Sequence, residues 1–297
     1  MNYLECPDYL NLTRKAQELT ATYPFIKRSV IGKSVAGRNI SAFQIGRGEE
    51  YVLYAGAFHG SEWLTATLLF KFMEDLAAAL ADSGQVAGVD ARRALMARGL
   101  IIVPVVNPDG VEISLHGASG SGQFVADIYR ISDGDFTHYN ANARGVDINH
   151  NFDAGWQKLH KLEQSAGIYG PAPRRYGGTK PESEPETAAI VNLCRDYSIC
   201  HAVAYHSQGE VIYWDYGQYT LPKSIKMAGV MARSSGYQLD APEGIAVGGG
   251  FKDWFIKKYS RPAFTVEIGK GENPLNPDNF PEIYRQIAEM MMFTIML

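Results

Sequence analysis

Cysteine is scarce in this chain. The 297 residues contain three, Cys6, Cys194 and Cys200, and an odd number in a long chain excludes a disulfide framework, so all three read as buried or incidental thiols. A basic surplus is also missing. The 28 Lys and Arg against 32 Asp and Glu leave a formal charge of −4, so no field exists to attract nucleic acid, and none is expected as a partner. No run of about 18 apolar residues occurs, which excludes a conventional spanning helix and removes the membrane from the expected partners. The terminal EMMMFTIML is apolar, but it closes a helical pattern and is too short to span. The N-terminal stretch MNYLECPDYLNLTRKAQELT has no basic segment followed by an apolar one, so no secretory signal is expected and the cytoplasm is the expected location. Repeats, linkers and breaks in composition are lacking as well, which predicts one domain over residues 1–297, with residues 1–23 an N-terminal helix packed on it.

What is present alternates strands with helices. Helical spacing over Tyr9–Tyr23 stops at Pro24, and Phe25–Ile31 with Asn39–Ile45 reads as a hairpin. Tyr51–Ala57 reads as a central strand, Leu64–Leu80 and Asp90–Arg98 as helices, and the unbroken apolar run Gly99–Val106 as a strand covered on both faces. The Gly-, Ser-, Asp- and Asn-rich stretch from Gly117 to Gly145 reads as a long functional or mobile connection. Beyond it, Glu184–Tyr197, Leu221–Gly236, Phe251–Tyr259 and Pro281–Leu297 are predicted helices. Cys200–Tyr205, Glu210–Trp214 and Ala263–Ile268 are predicted strands. The alternation predicts an α/β fold in three layers around a largely parallel sheet.

The stretch YVLYAGAFHGSEWLTATLLF, Tyr51–Phe70, organises the chemistry. Its turn carries His59 and Glu62 where strand meets helix, and imidazole with carboxylate suits Zn²⁺. A helix N-terminal charge favoured by the macrodipole explains Glu62 equally well at this point, with His59 a turn residue. In α/β sheets, sites gather beyond the carboxyl ends of strands, and His206 ends one such strand, which makes it the natural third ligand. His201 points to the opposite face, while Ala202 and Ala204 share the side of His206 and leave room there. Glu267 sits in the otherwise apolar PAFTVEIG. A carboxylate so placed is either half of a structural ion pair or a general base beside a metal-bound water.

The motifs AFHGSEW, NPDG, RGVDIN, AYHSQG, KDW and FTVEIG occur in the order found in the zinc carboxypeptidase (M14) family, which the chain resembles from about Tyr23 to Glu282. The resemblance implies one zinc ion on His59, Glu62 and His206, with Glu267 as general base and acid. It also implies an α/β/α sandwich around a mixed sheet of about eight strands. Departures from the digestive type are informative. Its Asn-Arg pair for a free C-terminal carboxylate is here Asn149 with His150, a weaker clamp. The carbonyl-polarising arginine of the family is replaced by Asn140, with Arg130 and Arg144 as candidates to substitute in space. The family's mobile tyrosine aligns with Ile245. Lys252 falls at the base of the pocket for the leaving-side residue, which fits a residue bearing its own carboxylate; a solvated helix-start lysine is the other reading.

These departures, with PRRYGGTKPESEPET and HSQGEVIYW, resemble the γ-D-glutamyl-L-diamino acid endopeptidase branch, which acts on bacterial cell-wall peptides. The implied substrate is therefore a cell-wall peptide, cut between γ-D-glutamate and meso-diaminopimelate. Asp253 or Glu243 would complement a diamino acid beside Lys252. Competing readings are a conventional metallocarboxypeptidase, a same-fold zinc amidase or deacylase, and a muropeptide-binding module without catalysis. Among the remaining residues, His116, His138 and His160 read as surface residues, Trp63 and Trp254 as packing residues, and Asp109 as a turn residue. Arg174 and Arg175 are candidates to steer an anionic substrate.

Overall fold

Side-chain alternation along the central strands gives the protein two cores, one on each face of a single sheet. The computed structural model describes residues 7–297. Eight strands form the sheet: β1 (Lys27–Lys33), β2 (Asn39–Ile45), β3 (Tyr51–Gly56), β4 (Gly99–Val103), β5 (Ile199–His206), β6 (Val211–Tyr213), β7 (Gln238–Asp240) and β8 (Ala263–Glu267). Their spatial order is β1-β2-β4-β3-β5-β8-β6-β7. The four central strands β4, β3, β5 and β8 run parallel, and β2 and β6 flank them antiparallel. The sheet is thus mixed, with the expected α/β class.

On one face Val52, Tyr54, Leu100, Ile102, Val203, Tyr205, Phe264 and Val266 pack against helices α1 (Tyr9–Thr22) and α2 (Leu64–Asp82) and the closing helix Phe280–Met296. The opposite face carries Leu53, Ala55, Ile101, Val103, Ala202, Ala204 and Ala263, under the helices Pro185–Asp196 and Phe251–Tyr259. Continuous apolar runs such as GLIIV arise because both faces of a central strand lose water. Cys194 and Cys200 are buried free thiols, and Cys6 lies outside the described residues.

Several local expectations give way to capping and packing. NPDG is not a free turn. Asn107 accepts from the Gly110 N–H and Pro108 takes the first helical position, so α3 (Pro108–His116) starts there. Asp109 is accordingly a fully buried helix residue; it accepts from Ser34 Oγ, Ala36 N and Arg38 Nη1, each at 2.7 Å, and so pins the β1–β2 connection. The long connection from Gly117 holds a 3₁₀ segment, Gly117–Phe124, and helix α4 (Val125–Ser132). Ile128 packs there in a small third core with Ile113, Tyr139 and Ala141. Helix α5 (Trp156–Ser165) was not expected, its inward face being only Trp156, Leu159 and Glu163. The expected helix at Asp90–Arg98 shrinks to the single turn Ala91–Ala94, capped by Asp90. The later helices are α6 (Pro185–Asp196), α7 (Pro222–Ser235), α8 (Phe251–Tyr259) and α9 (Phe280–Met296).

Glu186 on α6 is fully buried, accepting from Val35 N and Asn142 Nδ2 near Asp109. Burial, reinforced by Asp109, pushes its carboxyl from 4.5 up to about 8. A carboxyl that keeps its proton only in the folded state favours folding below the unfolded value, and this contribution is lost as pH rises through the folded value. Wild-type melting temperature should therefore decline between pH 4.5 and about 8. Glu186→Gln should flatten that decline, its advantage over wild type widening with pH; an unchanged slope would assign the loss to other groups.

Candidate active site

The first candidate metal-ligating side chains are placed by a turn that only glycine permits. β3 ends at Gly56, His59 is extended, and Gly60–Glu62 forms one 3₁₀ turn ahead of α2. A Cβ on Gly60 would lie 2.2 Å from the Gly110 carbonyl oxygen and 2.5 Å from that of Tyr139, so the turn is pressed against α3 and the Tyr139 segment. His59 Nδ1 lies 2.7 Å from Glu62 Oε1, and His206 Nδ1, at the end of β5, lies 2.9 Å from Glu62 Oε2. One ligand atom from each of the three falls within 4.8 Å of the others. The His206 ring stacks on Phe58 at 5.2 Å, and His201 is turned to the far face, against the Thr294 carbonyl of α9.

Asp147, readable from the sequence only as a structural partner for Arg144, instead completes this arrangement. Asp147 Oδ1 lies 3.1 Å from His59 Nε2, while Asp147 Oδ2 accepts from the Arg175 N–H. The ring is thus held so that its Nδ1 faces Glu62, as expected of a carboxylate behind a metal-bound imidazole. Asp147 stands in RGVDIN, and a buried acid in that motif was the available signal. Charge compensation in the cluster is mutual. Burial alone would raise Glu62, but His59 and His206 hold it at about 2; burial would lower His59, but Glu62 and Asp147 hold it well above the usual imidazole range. Two imidazole Nδ1 atoms and an ionised carboxylate, with room for a fourth ligand on the cleft side, are the donor set of a catalytic zinc site.

Glu267 reaches the same place from another strand. In the parallel β5–β8 pair its register partner is His206 itself, with Thr265 opposite Ala204 and Ala263 opposite Ala202. Burial first, then the Glu62 charge, raises its carboxyl well above the ordinary range, with His59 opposing. His59, His206 and Glu267 open into a cleft that is also lined by Asn140, Asp147, Asn149, His150 and Lys252. A second lobe continues past Glu267 along Ser61, His138, Ser207, Gln208 and Asn273. Glu267, Asn140, Arg174 and Tyr213 border both lobes.

The other expected substrate residues divide into those at the cleft and those away from it. Asn140 is there, its Oδ1 accepting from Ser61 Oγ at 2.6 Å. Asn149 is there, with Oδ1 taken by the Phe251 N–H and its amide nitrogen left over. His150 is there too, but its Nδ1 is 2.8 Å from Glu163, a fully buried carboxylate that also holds His160. His160, expected on the surface, is stacked on Trp156 at 4.6 Å and serves this cluster, and His138, though exposed, borders the second lobe. Lys252 is 5% exposed, which removes the reading of a solvated helix-start lysine. Its Nζ pairs with Asp253 and donates to the Asp215 carbonyl. Glu243, the other acidic neighbour considered for it, is exposed and does not border the cleft.

Arg130 and Arg144 are the corrections. Arg130 is exposed on α4 and paired with Asp127, and Arg144 is exposed and turned to Glu184 at 3.5 Å; neither borders the cleft. Each answers a local carboxylate instead. Tyr213, raised by burial and by Glu267, was missed because a tyrosine in a short strand carries no sequence signal.

A sequence profile described as zinc carboxypeptidase matches residues 12–290. The chain belongs to the zinc carboxypeptidase family. Family membership makes it a zinc-dependent hydrolase with His59, Glu62 and His206 as its candidate zinc site. It is 34% identical over 284 residues to gamma-D-glutamyl-L-diamino acid endopeptidase 1 of Lysinibacillus sphaericus, covering 94% of this chain and 69% of that one. To human carboxypeptidase B it is 24% identical over 276 residues, covering 85% and 60%. The fold matches bovine thrombin-activatable fibrinolysis inhibitor with a TM-score of 0.76 at 18% identity, over 99% of this chain and 97% of that one. No helix among the described residues is long and apolar enough to cross a membrane.

Three substitutions separate metal binding from turnover. His206→Ala should abolish stoichiometric zinc by elemental analysis. Glu267→Gln should retain zinc while turnover falls by roughly 10²–10⁴-fold, the usual contribution of a positioned base. Asp147→Ala should weaken zinc affinity by about 10–100-fold in chelator competition, the range for lost carboxylates behind ligands. Full activity in Glu267→Gln, or undiminished zinc in His206→Ala, would contradict these roles.

Proposed function

We propose that the protein hydrolyses the amide between the γ-carboxyl of D-glutamate and the L-centre of meso-diaminopimelate in cell-wall peptides. The observation that carries this reading is the continuation of the cleft on both sides of Glu267, which leaves room for chain beyond the leaving residue and beyond the acyl residue. The 34% identity to an endopeptidase named for that bond supports it. Carboxylate capture at a peptide's end is poorly provided for, because the position of the family's clamping arginine holds His150, drawn back onto Glu163.

Zinc, when bound by His59, Glu62 and His206, supplies Lewis acidity and makes water acidic enough to lose a proton near neutral pH. Glu267, bordering the same cleft, would take the proton of the attacking water and return it to the departing amine. The Asn140 amide donates to the oxygen of the scissile carbonyl, while its Oδ1 is held by Ser61. Asn149 and His150 face the leaving residue. At the cleft floor, the Lys252–Asp253 pair presents an ammonium beside a carboxylate, complementary to the amino-acid end of diaminopimelate.

Turnover of L-Ala-γ-D-Glu-meso-Dap by the zinc-loaded enzyme tests the reading, with release of diaminopimelate as expected product. Lys252→Met should raise KM for this peptide by roughly 10–100-fold, the equivalent of one charge-assisted hydrogen bond, and should affect the lysine-containing analogue far less. Cleavage confined to the C-terminal residue of α-linked peptides would establish a conventional carboxypeptidase instead. Zinc-dependent binding without turnover would leave a binding module.

A further inference from the structure

We infer that Arg174 is the residue by which the cleft recognises a γ-linked glutamyl group, through that group's free α-carboxylate. The inference rests on the proposed substrate class and adds the specificity device. The segment that carries Arg174 is pinned on both sides. The Pro173 carbonyl accepts from Asn140 N and Ala141 N, both at 2.9 Å. Arg175, in the left-handed region at φ 65°, donates its N–H to Asp147 Oδ2 at 2.8 Å, and Asp147 N donates to the Tyr176 carbonyl at 2.8 Å. The guanidinium of Arg174 therefore springs from a strap fastened to Asn140 on one side and to the partner of His59 on the other.

Position and charge single it out. Arg174 borders both lobes of the cleft, whereas Arg175 borders only the lobe with Lys252. Lys252 is neutralised by Asp253, and no carboxylate among the described residues pairs with Arg174. The acidic groups lining the two lobes are Glu267, Asp147, Asp253 and Glu272, and Arg175 adds a second cation at the Lys252 lobe alone. A γ-glutamyl acyl group differs from an ordinary α-linked one in keeping an ionised α-carboxylate, with the α-carbon and two methylenes between it and the scissile carbonyl. Held near the scissile bond, that anion requires a fixed donor of matching shape. An unpaired, planar guanidinium at the junction of the lobes is the matching bidentate donor. In this chain it comes from a segment well separated from the position where the family keeps its arginine.

The test uses zinc-loaded Glu267→Gln protein and calorimetry with L-Ala-γ-D-Glu-meso-Dap, its counterpart carrying a carboxamide at the glutamyl α-position, and a peptide amidated on diaminopimelate instead. The free glutamyl carboxylate should improve binding by roughly 10–100-fold over its carboxamide. Adding Arg174→Ala should bring the ratio near one, and Arg174→Lys should restore part of it. Amidation on diaminopimelate should leave the dependence on Arg174 intact. A ratio that survives Arg174→Ala, or a parent protein that does not discriminate, overturns the assignment; loss of dependence with the diaminopimelate amide would relocate the contact to the leaving residue. Turnover by the Glu267 enzyme is scored separately. Discrimination without cleavage would defeat the proposed reaction and leave Arg174 as the carboxylate-binding residue.

Discussion

A buried carboxylate between two imidazoles is the constraint around which the molecule is built. Glu62 is 5% exposed and stays ionised because His59 and His206 oppose the cost of its burial. Those groups come from the end of β3 and the end of β5, adjacent parallel strands, so the ionised cluster exists only when the sheet is assembled. The supports reach further. Asp147 holds the outer nitrogen of His59, Arg175 holds Asp147, and Asn107 donates to the Phe58 and Asn140 carbonyls beneath the turn. Each satisfies a polar group that would otherwise be left bare in a dry interior.

The sheet's connectivity decides where this cluster can form. From β3 the chain moves to β4 on one side, then returns to β5 on the other, and the connections part above the carboxyl ends of these strands. Such a parting leaves a crevice without special sequence. Side-chain period does the rest. Because parallel strands pair β5 and β8 residue against residue, His206 and Glu267 stand side by side, and small Ala204 and Ala202 lie beneath His206 on the same face. Candidate metal ligand and candidate base thus share one rigid sheet, while irregular segments border the rest of the cleft.

Legibility in the sequence followed the reach of each interaction. His59, Glu62, His206 and Glu267 are legible because each interrupts a regular pattern: a polar pair at a strand–helix junction, a histidine at a strand end, an acid in an apolar strand. Arg130 and Arg144 are candidates to replace the family's missing arginine, but charge alone does not fix direction, and each has a nearer carboxylate. His150 was read for the arginine it is not, and its actual tie to Glu163 depends on α5, a helix whose weak pattern gave no warning. Asp109 shows the same failure in a structural role. An Asx residue after Pro suits a turn and a helix N-terminus equally, and only burial against Arg38 and Ser34 separates them.

The sequence by itself determined the α/β layering, the order of the motifs and the chemistry of the donor set, because these follow from periodicity and residue type along short stretches. Tertiary structure alone decided which cations border the cleft, which acid orients His59, and that Lys252 pairs with Asp253. Those contacts join irregular segments distant along the chain, and their outcome is a competition among charges for partners. That competition is settled by packing, to which no local pattern is sensitive.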